Sequence, residues 1–228
     1  MSLSLEENKV YALMGGNGAG KTTLLNLISG FIKLQKGDIL FREESIINYH
    51  PYEINRIGIG RTFQDLRLIN KLTVKDNIVL AIQDNPTDSL LNAILPKIYF
   101  KKSNIEIDKK ANDIIETFFL TDVKDSTAAN ISYGQQKLLS LATCVTNGAS
   151  LLLLDEPVAG IQANYKDKFA TIVSLLKKKN KTILLIDHDM EFISSVADII
   201  LFLYEGNIAQ FESIEMLKAN KKIVEAYM

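Results

Sequence analysis

The fold class of this chain follows mainly from residues 9–30, KVYALMGGNGAGKTTLLNLISG. It begins with a short apolar run, continues with a glycine-rich segment, and from Lys21 onward has apolar residues at helical spacing. This order predicts a buried strand, a loop and a helix. A glycine loop in that setting binds phosphate groups, because backbone N–H groups turn inward and the helix N-terminus carries a partial positive charge.

The glycine loop supplies the candidate nucleotide-binding residues. They are Gly15, Gly16, Asn17, Gly18, Ala19, Gly20, Lys21, Thr22 and Thr23. We expect Lys21 to reach the β- and γ-phosphates and the Thr22 hydroxyl to bind Mg²⁺, so ATP and Mg²⁺ are the predicted cofactors. A lysine–phosphate contact is worth about 4 kcal/mol at a separation of about 4 Å and an effective dielectric of about 20. The alternative is a glycine-rich turn without a ligand, and the flanking strand and helix count against it.

Polar side chains follow two later apolar runs. The run 151–154 ends in Asp155 and Glu156, and the run 182–186 is followed by His188 with an acid on each side. Continuous apolar runs are typical of parallel strands buried on both faces, whose carboxyl ends border the ligand crevice. We therefore expect Asp155 to hold Mg²⁺, Glu156 to act as general base, and His188 to contact the γ-phosphate or the attacking water. An acidic loop start and a histidine satisfied in a loop are the alternatives.

A second anion-binding pattern occurs in ISYGQQ, residues 131–136. Ser132 is a favourable N-cap, and Gln135, three residues later, completes a capping box. Gly134 allows a ligand to approach the backbone at the helix N-terminus. The sequence therefore predicts two anion sites more than a hundred residues apart.

The pattern changes to helical spacing in the middle of the chain. Thr73 is a plausible N-cap, and residues 107–120 carry a predicted apolar helix face. That face consists of Ala111, Ile114, Ile115, Phe118 and Phe119. Segment 85–104 contains two prolines and is compatible with a surface helix or a loop. We predict an ATPase core of residues 1–64 and 146–228 and a helical subdomain of residues 65–145.

Residues 198–211, DIILFLYEGNIAQF, predict two strands joined by a Glu-Gly-Asn turn, which is a good hairpin signal. The predicted fold class is therefore α/β. It combines a mostly parallel sheet and flanking helices with an antiparallel β portion and an inserted helical subdomain.

Composition limits the class of protein. The chain has 228 residues, a net charge of −1 and one cysteine, Cys144, for which we expect a place in the core. A nearly neutral chain has no overall field to attract nucleic acid or anionic lipid, so we expect neither as a direct partner. The longest apolar run, 199–204, is far shorter than the roughly 18 residues of a spanning helix. The acidic start and the single cysteine favour the cytosol.

Together these motifs resemble the ATP-binding subunits of ABC transporters. The glycine loop, Gln64 in RTFQ, ISYGQ, LLLLDEP and His188 occur in that family's order and spacing, and the resemblance covers essentially the whole chain. It implies that two subunits pack head to tail, so that the ISYGQ segment of one subunit, the family's signature motif, covers the ATP of the other. The residues acting in trans would be Ser132, Tyr133, Gly134 and Gln135. The resemblance also gives Gln64 the role of sensing Mg²⁺ and the attacking water.

A narrower resemblance concerns the transported solute. GIGRTFQ, the tyrosine in ISYGQQ, DEPVAGI, LLIDHDM and the final IVEAYM are similar to the ATPases of branched-chain amino-acid importers. The lipopolysaccharide-export and urea-type ATPases share many of these motifs. The importer resemblance implies a heterodimer with a related ATPase, with a homodimer as the alternative. It also implies transmembrane permease subunits that provide the membrane contact, and a location on the cytoplasmic face of the plasma membrane.

The sequence departs from the family pattern near its start. Lys21 is twenty residues from the first methionine, so we expect the family's first strand and its adenine-stacking aromatic residue to be missing. Tyr11 is expected to face the sheet instead. Base stacking is worth roughly 1 to 3 kcal/mol, so ATP affinity is expected to fall about tenfold or more. A misplaced gene start, a shortened chain and a degenerate subunit are all compatible with this pattern.

Two further departures concern residues near the family's dimer interface. Gln162 stands where an Asp or Asn is usual, and Thr143 replaces a common arginine. A weakly active or regulatory subunit is one alternative function. The missing first strand favours it, and four intact residues count against it: Lys21, Asp155, Glu156 and His188. A soluble ABC ATPase of DNA repair or translation is another. The sequence contains neither the long coiled coil nor the second cassette that such proteins usually carry.

Overall fold

The computed structural model describes residues 2–64, 66–82 and 100–220. The strands are β1 (Val10–Met14), β2 (Leu40–Phe41), β3 (Glu44–Ser45), β4 (Ile59–Arg61), β5 (Leu151–Asp155), β6 (Thr182–Ile186), β7 (Ile199–Tyr204) and β8 (Asn207–Phe211). The helices are α1 (Lys21–Ile28), α2 (Pro51–Arg56), α3 (Val74–Ala81), α4 (Phe100–Thr117), α5 (Tyr133–Val145), α6 (Ala163–Lys178), α7 (Met190–Val196) and α8 (Ile214–Ala219). Among these described helices, none has the length and apolar character needed to cross a bilayer.

Six strands form one sheet in the order β4-β5-β6-β1-β7-β8. The first five strands in this order pair in parallel, and β8 pairs with β7 in the antiparallel direction. Strands β2 and β3 form a separate antiparallel pair. The predicted α/β fold with a mostly parallel sheet is confirmed. Because β1, β5 and β6 run in the same direction, the loops that follow them leave the sheet at the same edge.

Apolar strands account for the burial of this sheet. Every residue of β1 and β6 is buried, as expected for parallel strands covered on both faces. The hydrophobic core includes Leu13 from β1, Leu25 from α1 and Leu184 from β6. Full burial of a leucine side chain contributes roughly 1.5 to 3 kcal/mol, so the central strands are held mainly by apolar packing.

The hairpin between β7 and β8 forms as predicted. Glu205 and Gly206 connect the strands, with φ angles of 44° and 75°. Two successive positive φ angles are typical of a type I′ turn, whose twist matches that of the flanking strands. Residues 2–9, which precede β1, belong to no strand.

The chain divides into two compact units, residues 1–64 with 149–228 and residues 65–148. The first unit contains the sheet. The second contains α3, α4 and α5, and α3 packs against both of the other helices. The predicted cap of α3 is confirmed, because the Thr73 side chain accepts a hydrogen bond from the Asp76 N–H. The assignment of these units as an ATPase core and a helical subdomain stays a prediction.

The predicted apolar face of α4 is wrong at Phe119. Ala111, Ile115 and Phe118 are buried, whereas Phe119 is 43% exposed. The helix ends at Thr117, and Phe119 has a φ of 57°, so helical spacing does not continue to this position. Of the segment 85–104, residues 85–99 lie outside the described residues, as does the final IVEAYM.

Candidate active site

The predicted phosphate-binding residues form the loop between β1 and α1. Gly15 has a φ of 151°, and a Cβ atom there would lie 2.5 Å from the carbonyl oxygen of Leu203. Gly20, at the N-cap of α1, has a φ of 99° in the left-handed region. The Ala19 N–H closes a turn by donating to the Gly16 carbonyl at 3.2 Å. The glycines therefore set a backbone path that larger residues would follow only with strain.

Lys21 begins α1 and is mostly buried, with 9% of its surface exposed. Its Nζ donates hydrogen bonds to the carbonyl oxygens of Gly15 at 2.8 Å and Gly16 at 3.0 Å. Burial lowers the pKa of Lys21 below its ordinary value of 10.5, and the carboxyl groups of Glu156 and Asp155 oppose this shift. The lysine of the loop and the two acids at the end of β5 therefore lie within electrostatic reach of one another. Thr22 and Thr23, the next residues of α1, are exposed.

The three predicted catalytic side chains converge at the edge of the sheet. The Gln64 Nε2 lies 3.4 Å from one carboxyl oxygen of Glu156. The His188 Nε2 lies 3.7 Å from the other carboxyl oxygen. Glu156 follows β5 directly, His188 follows β6 by two residues, and Gln64 comes three residues after β4. The ends of three parallel strands thus bring an acid, an amide and an imidazole together.

Glu156 has an unusual backbone conformation for a residue other than glycine. Its φ is 50°, and its N–H donates to the Ile186 carbonyl at 2.8 Å. Left-handed backbone at such a residue costs on the order of 1 to 3 kcal/mol and persists where the surroundings fix it. The strain is therefore located at the candidate general base.

Arg61, for which no role was predicted, contacts the candidate metal ligand Asp155. The Arg61 Nη2 lies 3.3 Å from the Asp155 Oδ2, and each side chain is 6% exposed. The Arg61 Nη1 donates to the Asn26 Oδ1 in α1 and to the Oγ of Ser29, the C-cap residue of that helix, both at 2.7 Å. Arg61 thus links the helix of the phosphate loop to the last residue of β5, Asp155. A lone arginine inside the apolar segment 57–63 was the available signal, because a buried cation needs an acidic partner.

The guanidinium of Arg61 also lies over two aromatic rings. Its central carbon is 5.7 Å from the centroid of Phe31 and 5.1 Å from that of Phe63. The two rings meet edge to face at 5.4 Å. Contacts of a cation with aromatic faces add to its hydrogen bonds, so the position of this arginine is fixed from several sides.

In the second unit, the N-terminus of α5 has the predicted capping box. The Ser132 side chain accepts from the Gln135 N–H at 3.3 Å, and the Ser132 N–H donates to the Gln135 side chain at 2.8 Å. Gly134 is buried, and Tyr133 is 46% exposed. The Lys137 Nζ lies 5.6 Å from the Tyr133 ring centroid. The role of these residues toward a second subunit stays a prediction.

The remaining residues discussed from the sequence lie in a strand or a helix, or cap a helix. Tyr11 is 1% exposed, and its hydroxyl accepts from the Glu6 N–H at 2.7 Å, so it faces the core as predicted. Cys144 is buried in α5, also as predicted. Gln162 is the N-cap residue of α6, and the Thr143 hydroxyl donates to the Ser140 carbonyl within α5.

The site combines a strand, a glycine loop and a helix at the centre of a parallel sheet with acids at the same sheet edge. This combination defines a P-loop nucleoside triphosphatase. Comparisons with known proteins narrow this class. A family profile described as ABC transporter matches residues 1–159. The chain therefore belongs to the ABC transporter family as an ATP-binding subunit, and this family hydrolyses ATP to power transport.

Similar curated proteins span the chain completely. The LivG protein of Salmonella typhimurium, described as a high-affinity branched-chain amino acid transport ATP-binding protein, is 32% identical over 100% of this chain and 90% of its own. The BraF protein of Pseudomonas aeruginosa, with the same description, is 31% identical with the same coverage. The solved ADP conformation of an ABC transporter's ATP-binding cassette matches with a TM-score of 0.82 at 31% identity, covering 99% of this chain and 89% of that chain.

Proposed function

We propose that this chain hydrolyses ATP for an importer of branched-chain amino acids or a similar small polar solute. The observation that carries the catalytic part is the convergence of Gln64 and His188 on the carboxyl group of Glu156, at 3.4 and 3.7 Å. Support for the solute class comes from the relatives LivG and BraF, which are described as branched-chain amino acid transport proteins.

In the proposed mechanism Glu156 takes the proton from the attacking water. The Gln64 amide orients that water, and His188 contacts it or the γ-phosphate. A general base of this kind typically accelerates a reaction 10²- to 10⁴-fold. Hydrogen bonds in such sites commonly shorten when substrate binds, so separations of 3.4 and 3.7 Å are compatible with these roles. Lys21 and the glycine loop hold the phosphates throughout.

The donor groups near the loop suit Mg²⁺ bound together with nucleotide. Thr22 offers a hydroxyl, Asp155 a carboxyl group and Gln64 an amide oxygen, and Mg²⁺ prefers oxygen ligands, usually one or two from the protein beside phosphates and water. Within residues 2–64, 66–82 and 100–220, no cluster of three or more His, Cys, Asp or Glu side chains could hold a metal by itself. When bound, the ion would neutralise charge on the phosphates. Arg61 would hold the Asp155 carboxyl group in place.

The capping box of α5 supports a role in a two-subunit assembly. Ser132, Tyr133, Gly134 and Gln135 would meet the nucleotide held by the partner's phosphate loop, through N–H groups and the dipole of α5. We favour a heterodimer with a related ATPase, with a homodimer as the alternative. Permease subunits would anchor the pair at the cytoplasmic face of the plasma membrane.

The Glu156→Gln variant tests the catalytic proposal. Removing the general base should lower ATP hydrolysis in the assembled transporter by at least about 100-fold while ATP binding persists. The control Glu44→Gln makes the same change at an exposed position in β3 and should leave hydrolysis unchanged. Unchanged hydrolysis in Glu156→Gln would exclude Glu156 as the base.

Two further measurements address assembly and solute. Sedimentation of Glu156→Gln with and without Mg·ATP should show a shift from monomer to dimer, if the chain pairs with itself. A monomer at millimolar ATP that shifts only on adding a related ATPase would support the heterodimer. Cells lacking this chain should lose uptake of labelled leucine, isoleucine or valine, and normal uptake of all three would contradict the assignment of branched-chain amino acids as the solute.

A further inference from the structure

Asp187 is a buried acid between the two loops that carry Glu156 and His188. It is 4% exposed. Its Oδ1 accepts from the backbone N–H groups of His188 at 2.8 Å and Asp189 at 3.0 Å. Its Oδ2 accepts from the backbone N–H of Val158 at 3.1 Å. One side chain thus bonds to its own loop after β6 and to the neighbouring loop after β5.

The bond to Val158 lies close to the strained backbone of Glu156. Val158 comes two residues after Glu156, whose φ is 50°. The Glu156 N–H donates to the Ile186 carbonyl at 2.8 Å, so Glu156 and Val158 are held by the consecutive residues Ile186 and Asp187. A costly backbone conformation persists only where neighbouring contacts fix it, and these two bonds are such contacts.

We propose that Asp187 is a positioning residue that fixes the Glu156 carboxyl group relative to the His188 imidazole. It acts on His188 through the adjacent backbone N–H and on Glu156 through Val158. This inference rests on the proposed function, in which Glu156 takes the proton of the attacking water and His188 contacts that water or the γ-phosphate. It predicts that Asp187 affects the catalytic step and leaves ATP binding largely unchanged, because Lys21 and the glycine loop donate nothing to it.

Three substitutions remove different parts of this contact. Asp187→Asn keeps the size but replaces one acceptor oxygen with a donor, so it cannot serve both loops. Asp187→Ser keeps a short acceptor for its own loop and cannot reach Val158, and Asp187→Ala keeps none. A misplacement of about 1 Å can cost about 10²-fold in rate, so we expect kcat to fall about 10- to 100-fold in all three. The Kd for ATP should stay within about threefold.

The control is Asp198→Asn, which alters another acid that accepts a backbone N–H, here from Val10 at 2.8 Å. Asp198 also pairs with Lys177, and it lies outside the proposed site. This variant should lose thermal stability without separating kcat from Kd. In Asp187→Ser and Asp187→Ala, by contrast, hydrogen exchange at the Val158 amide should accelerate together with the fall in kcat.

The experiment measures kcat, Kd and Val158 exchange for these variants in the assembled transporter. The positioning role would be overturned if kcat in Asp187→Asn stayed within twofold of wild type. It would also be overturned if kcat and ATP affinity fell by equal factors, as in a generally destabilised protein. Those results would leave the proposed ATPase function intact if the wild type hydrolyses ATP. A wild-type assembly that hydrolyses no ATP would refute the proposed function, and the inference with it.

Discussion

Replacing Arg61 with methionine should destabilise the protein mainly through the acid that it leaves behind. Both Arg61 and Asp155 have side chains that are 6% exposed. Removing one partner of a buried pair costs roughly 3 to 5 kcal/mol, because the remaining charge is uncompensated. Lys21 also lies within electrostatic reach of Asp155, so we expect a loss near 3 kcal/mol. For a chain of this size that corresponds to a decrease of about 6 to 12 °C in Tm.

A double-mutant cycle tests this origin of the loss. Thermal unfolding is followed by circular dichroism for Arg61→Met, Asp155→Asn and the double variant. If the uncompensated acid dominates, the double variant should be more stable than Arg61→Met by about 2 kcal/mol. The control Arg56→Met, at an exposed position in α2, should change stability by less than about 0.5 kcal/mol. Strictly additive losses, or a decrease below about 1 kcal/mol in Arg61→Met, would refute the reasoning.

Two further predictions concern other titratable groups. Burial raises the pKa of the Cys144 thiol to about 12, so iodoacetamide at about pH 8 should label it in denaturant and leave the native protein unlabelled; rapid native labelling would contradict the burial. The hydrogen bond from Lys166, with help from the Phe192 N–H, holds the pKa of Asp189 below its ordinary value of 3.8. The ionised Asp189 carboxyl group therefore stabilises the protein above about pH 4, and this stabilisation is lost as pH falls through the lowered pKa. Asp189→Asn should flatten the acid side of a plot of Tm against pH. An unchanged slope in that plot would contradict this prediction.

Much of the fold was predictable because its signals are local. The glycine loop with its strand and helix, the two buried strands that end in acids, the β7–β8 hairpin and the capping box of α5 are each encoded within about twenty adjacent residues. Strand β4 was not predicted, since it has three residues, Ile59–Arg61, and forms by pairing with β5. The β2–β3 pair has two residues in each strand, too few for a periodic pattern.

The same distinction applies to the site. Strand ends indicated Asp155, Glu156 and His188, because parallel strands place such residues at one edge. The contacts of Arg61 with Asp155 and of Asp187 with Val158 join residues 94 and 29 positions apart. No local pattern specifies such pairs. The sequence therefore indicated the side chains that are proposed to act on the substrate, but not the side chains that position them.

The strand order has a consequence for synthesis of the chain. Strand β1 is made first, yet its neighbours pair Val10 with Ile183 and Tyr11 with Ile199. At roughly 5 to 20 residues per second, β6 emerges some 9 to 35 seconds after β1. Until then the glycine loop has no sheet to hold it. Nucleotide capture by the nascent chain should therefore begin only after β6 and β7 have been synthesised, and it would mark the moment at which β1 joins the parallel sheet.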